Sequence, residues 1–297
     1  MRAVATAGTV ATMPSAQRIN RKVLRTWLLR AGRSVFRLAP LERALLSQTV
    51  GRAFVGPVSK LPPLWMHYPP DSWRSVSRHG LRYELDLSHI GDWYLYWGFT
   101  DPSHEALLSL CRPGMTVIDV GANIGLTATR AATVVGRTGH IAAIEPHYPN
   151  YLRLVEHATR NGLSWITCDN LALADTQRAL NLAPMSPNNS TMQVAALGVH
   201  ARAITLDQFV ETRGLRPDLV KIDCEGFEAR ILQGADHTLA LRPTLFLEVW
   251  DRGLRGHGSS ADDLISFVRA RGYTVFDART GGPVADLQQT DIVCMPN

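Results

Sequence analysis

Two short segments hold most of the side chains able to do chemistry. From Val117 to Thr129 the chain reads Val-Ile-Asp-Val-Gly-Ala-Asn-Ile-Gly-Leu-Thr-Ala-Thr, with Asp119 just before a turn that holds Gly121 and Gly125. From Leu219 to Glu228 it reads Leu-Val-Lys-Ile-Asp-Cys-Glu-Gly-Phe-Glu. Asp223 and Glu225 are two apart, so in extended geometry they project to one side. Two carboxylates facing one cleft repel, and the one whose pKa rises becomes a proton acceptor near neutral pH. Such a pair also suits a divalent metal if a third oxygen joins it; the sequence names no complete set, and no metal ligand is assigned. Glu228 falls in the first turn of the following helix, where acids commonly cap. Glu248 follows the apolar run Thr244-Leu-Phe-Leu and either borders the same cleft or is a buried, paired carboxylate. Asp223, Glu225 and Glu248 are the catalytic candidates.

The glycine loop discriminates between ligands. A dinucleotide fingerprint needs G-x-G-x-x-G, whose middle glycine lets a pyrophosphate approach the backbone. Here Gly121-Ala122-Asn123-Ile124-Gly125 lacks that glycine and that spacing. A carboxylate at Asp119 would repel a diphosphate and suit an ammonium. S-adenosylmethionine carries an ammonium and a sulfonium and no phosphate, so the loop favours it over NAD. Glu145, twenty residues after Gly125, ends an apolar run at Ile141-Ala-Ala-Ile. A carboxylate at a second strand's tip accepts from both ribose hydroxyls; a charge at the next helix's N-terminus is the competing role. Adenine contacts are expected around Asp169 and Ala172, with Asp175 an alternative to Asp169. The expected cofactor set is Asp119, Gly121, Ala122, Asn123, Gly125, Glu145, Asp169 and Ala172.

These residues need a sheet to position them. Short apolar runs predict strands at 116–120, 140–145, 165–173, 219–223, 244–250, 273–277 and 291–295. Helical spacing predicts helices near 103–111, 124–135, 148–162, 205–213, 227–240 and 261–271. Alternating strands and helices imply a largely parallel sheet with helices on both faces. The alternating stretch Gly80-Leu-Arg-Tyr-Glu-Leu-Asp-Leu predicts a strand or hairpin ahead of this core, after a proline-punctuated linker from Pro57 to Pro70. Pro184 to Met192 reads as a loop with formal glycosylation sequons at Asn188 and Asn189, which are set aside. The glycine-rich stretch from Asp251 to Ser260 reads as a mobile loop in which His257 could assist proton transfer. His104, His147 and His237 read as ordinary solvated histidines.

Composition bounds the rest. The 297 residues are 45% apolar, enough for a sizeable core, and no run of eighteen apolar residues suits a membrane-spanning helix. Four cysteines without paired spacing suggest neither zinc nor a disulfide framework, and a cytoplasmic location is the simplest expectation. Charge is unevenly placed: residues 1–60 hold eleven Lys/Arg and one acid, Glu42, whereas the remainder holds 20 bases and 25 acids. The organisation expected is a basic helical arm over 1–60, a linker with lead-in strands over 61–100, and the main domain over 101–297. Residues 15–48 read as one or two amphipathic helices broken near Pro40. They serve either as a cap packed on the domain or as a peripheral contact with anionic membrane.

At these motifs the chain resembles the FkbM family of S-adenosylmethionine-dependent methyltransferases. The matching pieces are Val117 to Gly125, Ile144-Glu-Pro, Leu171-Ala-Leu-Ala-Asp175, Thr205-Leu-Asp207 and Lys221 to Glu228, with Gly234-Ala235 and Glu248-Val249 continuing the pattern. Cys224 stands where the family more usually has valine. The resemblance implies an α/β class I methyltransferase (Rossmann-like) fold of seven strands, order 3-2-1-4-5-7-6 with the last antiparallel. It also implies methyl transfer to a hydroxyl oxygen of a sugar, glycan or natural product. Asp223 is then expected to act as, or help form, the base, with Glu225 orienting substrate or tuning it. The basic arm lies outside the resemblance. A nucleic-acid methyltransferase is the first competing function, although the body lacks an aromatic-interleaved basic groove and no nucleic-acid partner is expected. A non-catalytic module drawn to anionic surfaces by the arm is the second.

Overall fold

The computed structural model describes residues 37–52, 60–185 and 191–297. Residues 15–36 of the arm, part of the linker and the two sequons lie outside the described residues.

The chain first builds a lead-in layer. Helix α1 (Ala39–Thr49) carries Pro40 in its first turn, where the missing N–H costs no helical hydrogen bond. Glu42, Leu45 and Thr49 of α1 are buried, and Glu42 receives hydrogen bonds from Arg74 and the Tyr96 hydroxyl. The described end of the arm is thus packed on the protein by one helical face. Strands β1 (Trp73–Arg78) and β2 (Leu81–Asp86) form an antiparallel hairpin. Helices α2 (Ile90–Trp97) and α3 (Pro102–Leu110) follow.

The core then runs β3 (Thr116–Val120), α4 (Leu126–Val135), β4 (His140–Ile144), α5 (Tyr148–Arg160) and β5 (Ile166–Asp169). Strands β6 (Ala172–Leu173), β7 (Arg178–Pro184), β8 (Met192–Ala195) and β9 (Val199–Ile204) come next, then α6 (Leu206–Arg213), which opens on a Thr205/Gln208 capping box. Strand β10 (Leu219–Ile222), helices α7 (Glu228–Gln233) and α8 (Asp236–Ala240), and β11 (Thr244–Trp250) lead to α9 (Asp251–Gly256). Helix α10 (Ala261–Ala270) and strands β12 (Tyr273–Asp277) and β13 (Gln289–Pro296) complete the chain.

Seven strands form the main sheet in the order β12-β13-β11-β10-β3-β4-β5. β11, β10, β3, β4 and β5 are mutually parallel, and β13 runs antiparallel to both β11 and β12. The order in which the chain adds strands reverses between the parallel neighbours β3 and β10, the switch point at which open α/β sheets bind ligands. Each sheet face is buried. Ile118, Val120, Val220 and Ile222 face one apolar cluster, whereas Val117, Ile141, Leu219 and Phe246 face another shared with Leu45, Tyr83, Trp93 and Trp97 of the lead-in layer.

Three expectations are corrected. The single strand expected over 165–173 is two, β5 in the main sheet and β6 in a second sheet of order β6-β9-β7-β8, whose strands β7, β8 and β9 were not expected; the loop expected from Pro184 to Met192 lies mostly outside the described residues. The single helix expected over 227–240 is two, because at Gly234 a Cβ would stand 2.6 Å from the Ala174 carbonyl oxygen, and Asp207 caps the new start through His237 and Thr238 N–H. The mobile loop expected after Asp251 is helix α9, tied by Asp251 to Arg255 and to the Ala261 N–H.

Candidate active site

The β3–α4 turn is shaped by two glycines. Gly121 has φ +76°, and a Cβ there would lie 2.0 Å from the Asp223 carbonyl oxygen, so only glycine lets β3 and β10 end side by side. Gly125, at φ +87°, is the N-cap of α4. Asn123 between them is also left-handed, and its N–H donates to Glu145 Oε2 at 2.8 Å. The other oxygen of Glu145 accepts the His147 N–H at 2.8 Å. Burial pushes the Glu145 carboxyl up to about 7, against those two hydrogen bonds.

Beside this turn is a cavity of 230 Å³. Gly121, Ala122, Asn123, Glu145 and Ala172 line it, as expected of cofactor contacts. So do residues that sequence reasoning missed. Leu180, Leu182, Met192 and Val194 come from the second sheet, Gly91 and Asp92 from the lead-in layer, and Phe227 and Ile231 from the segment after β10.

Asp119, Gly125 and Asp169, also expected to contact the cofactor, do not line the cavity. By strand alternation Asp119 shares a face with Val117, and there its Oδ1 lies 2.8 Å from the buried Lys221 Nζ. Asp169 is drawn into an ion pair with Arg213 instead. Asp175, the alternative, pairs with Arg178 and Arg230. His257 packs edge-on against Phe227 and lines neither cavity.

The acidic candidates converge. Asp223, Glu225 and Glu248 each offer an oxygen within 4.8 Å of the others. Glu228 stands apart as a cap, accepting the Cys224 and Gly226 N–H groups. Lys221 lies 3.3 Å from Asp223 Oδ2; burial opposes its charge, but Asp119 and Asp223 together hold the ammonium above the ordinary lysine range. One ammonium already shared with Asp119 cannot balance three carboxylates, so protons or a divalent cation must. With no cation bound, burial and then the Asp223 charge push Glu248 up to about 11 and Glu225 up to about 8, so both take protons. The same three oxygens have a spacing that a divalent cation can bridge.

A second cavity, of 420 Å³, lies against this cluster. Its lining is polar: Asp101, Ser103, Glu248, Arg279, Thr290 and Asp291 among others. Ser103 bonds Asp291, and Arg279 donates to Ser103, so this wall is internally braced. The two cavities share three residues, His104, Lys221 and Asp223.

The first cavity fits S-adenosylmethionine. Glu145 offers acceptor oxygens to a ribose, Leu171, Leu173 and Phe227 offer apolar surface to a purine, and the buried Asn123 Oδ1 has no partner among the described residues. No lysine or arginine other than the paired Lys221 lines the cavity to receive a diphosphate. A parallel sheet with this turn at its switch point and this cavity above it defines an S-adenosylmethionine-dependent methyltransferase of class I type.

The chain matches the family described as the methyltransferase FkbM domain over residues 119–275, more than half its length, and belongs to that family. Among curated proteins none matches it. Among solved structures it is similar to methyltransferase FkbM from Methylobacillus flagellatus KT, at 16% identity and TM-score 0.42, covering 89% of this chain and 60% of that one. It is also similar to M. jannaschii TYW2 in complex with AdoMet, at 14% identity and TM-score 0.44, over 77% and 87% of the two chains. A methyltransferase from Streptococcus mutans, solved with SAH, has 10% identity and TM-score 0.41, over 66% and 98%. Among the described residues no helix is long and apolar enough to cross a membrane.

Proposed function

We propose that the protein methylates a hydroxyl oxygen of a polar acceptor, a sugar, glycan or natural-product alcohol held in the second cavity. The observation carrying this reading is that a polar cavity and the cofactor cavity meet at Asp223, with Lys221 and His104 beside it. When bound, S-adenosylmethionine supplies an electrophilic methyl on sulfonium.

The chain's residues supply position and proton handling. Asp101, Glu248, Asp291 and Thr290 offer acceptors to the several hydroxyls of a polyol, and Arg279 offers donors. Asp223 receives the hydrogen bond of the reacting hydroxyl, so that an oxygen lone pair faces the other cavity; holding that geometry supplies much of the rate. Lys221 stands 3.3 Å from Asp223 Oδ2, while Glu225 and Glu248 hold the protons that let three carboxyl groups share the space. The apolar second sheet and the lead-in layer cover the cofactor cavity and keep water from the reacting groups.

The test incubates the full chain with deuterium-methyl-labelled S-adenosylmethionine and a panel of neutral glycosides, amino-sugars, uronic acids and polyketide alcohols. Mass spectrometry locating the label on a hydroxyl oxygen supports the reading. Label found only on nitrogen, carbon or nucleic acid contradicts it.

A further inference from the structure

His104, Lys221 and Asp223 are the three side chains that border both cavities, so they surround the hydroxyl as its proton leaves. Two of them are already engaged. Lys221 is a buried, permanently charged ammonium held by Asp119 and Asp223 and cannot accept a proton. Asp223 has Lys221 at 3.3 Å from Oδ2 and is hydrogen-bonded to Glu248, so its carboxylate is already engaged on two sides.

His104 differs in every respect. It sits in the first turn of α3, where Asp101 caps the helix by accepting the Ser103 N–H at 2.9 Å. The backbone that carries the ring is therefore fixed, whereas the ring itself has no hydrogen-bond or ion-pair partner among the described residues. A neutral imidazole has one ring nitrogen that donates and one whose lone pair accepts a proton. Its position, fifteen residues before the family match begins at Asp119, places it outside the family segment.

We propose that His104 is a catalytic residue, the base that takes the proton of the acceptor hydroxyl while Asp223 orients it. This rests on the hydroxyl-methylation reading above. The acceptor oxygen gains its bond to the methyl carbon as the carbon–sulfur bond breaks, the electron pair leaves with sulfur, and the hydroxyl proton ends on the imidazole and then in water. The titratable and charged groups that line the two cavities with the ring are Asp101 on its own segment, Lys221, Asp223, Glu248, Arg279 and Asp291 in the second cavity, and Asp92, Glu145 and Glu225 in the first.

The experiment uses the full chain with carbon-13-labelled histidine, the His104 resonance being assigned with His104→Gln. Its ring is titrated by NMR in complexes with S-adenosylmethionine and with S-adenosylhomocysteine, binding of each being checked by calorimetry. The two ligands differ by the sulfonium charge, so a ring beside the transfer point titrates lower in the charged complex, by about 0.5 pH unit or more. Equal midpoints with both ligands bound overturn the assignment and leave the methyltransferase reading standing. If neither ligand binds, both fall. On any acceptor found with labelled methyl, His104→Gln lowers kcat by roughly 100-fold and removes the acid limb of the pH profile, and imidazole partly restores His104→Gly. An unchanged kcat with the acid limb intact overturns it as well.

Discussion

Lys221 and Asp119 are register partners on adjacent parallel strands, and their side chains meet as a 2.8 Å ion pair with almost no exposure. The pair ties β10 to β3 at the switch point and leaves Lys221 two further contacts, to the Gly121 carbonyl oxygen and to Asp223 in the site. Removing one partner strands the other charge in the interior. Lys221→Met should cost about 3–5 kcal/mol in chemical denaturation, and the double variant Lys221→Met/Asp119→Asn should recover part of it. Additive losses would show the pair to be incidental.

Gly121 gives a steric prediction. A Cβ there meets the Asp223 carbonyl oxygen at 2.0 Å in a left-handed backbone, so Gly121→Ala must push β10 and the acidic cluster aside. Gly136 has a similar φ of +68° and nothing within 4 Å. Gly121→Ala should cost about 2 kcal/mol or more and abolish cofactor binding. Gly136→Ala should cost about 1 kcal/mol and leave binding unchanged. Thermal melts with calorimetry distinguish the two, and equal effects would refute the close approach.

The main sheet was legible because a strand buried on both faces must be an apolar run, as at Val117-Ile-Asp-Val and Leu245-Phe-Leu. The second sheet was not. Its strands are short and half-exposed, as Leu180 and Leu182 turn inward while Arg178, Ala179 and Val199 face solvent. Such patterns look like loop in a single sequence. Asp119 was misjudged for a related reason: an acid before a glycine turn is visible, but its partner Lys221 is 102 residues away and meets it only through strand order. His104 was passed over because nothing local marks a histidine whose neighbours come from β10, β11 and β13. Glu228 as a cap followed from spacing; Asp223 and Glu225 do come together, but in the turn after β10, where Glu225 is left-handed at φ +55°, and not as neighbours along an extended strand, and the arrival of Glu248 needed the β10–β11 register.

Stability should fall with rising pH. Burial raises the carboxyl groups of Glu145 and Glu228 to about 7, Glu225 to about 8 and Glu248 to about 11, all above their ordinary value of 4.5. Through these four groups the folded ligand-free chain holds more protons than the unfolded chain above about pH 4.5, while burial lowers His79, His140, His147, His157 and His257 and opposes this in the imidazole range. The stabilisation is complete below that value and is lost as pH rises through 7 and 8 and on toward 11. Melting temperatures of the ligand-free protein should be higher at pH 5.5 than at pH 8.5, by roughly 2–4 °C for each kcal/mol lost. Glu248→Gln should flatten the alkaline side, and a stability maximum near pH 9 would contradict the arrangement.

Asp223 should separate binding from turnover. It borders both cavities but is not bonded to the cofactor turn through its side chain. Asp223→Asn should keep S-adenosylmethionine affinity within about threefold and lower kcat by roughly 100-fold, read from binding isotherms and initial rates. Wild-type turnover at saturating acceptor would remove Asp223 from the reaction.

The most direct test is a calorimetric titration of wild type and Glu145→Ala with S-adenosylmethionine, alongside NADH. The arrangement around Gly121, Asn123 and Glu145 predicts one bound S-adenosylmethionine per chain, at least tenfold weaker binding in the variant, about 1.4 kcal/mol, and no heat from the diphosphate nucleotide. Saturable NADH binding with none of S-adenosylmethionine, or equal affinity in wild type and variant, would contradict it.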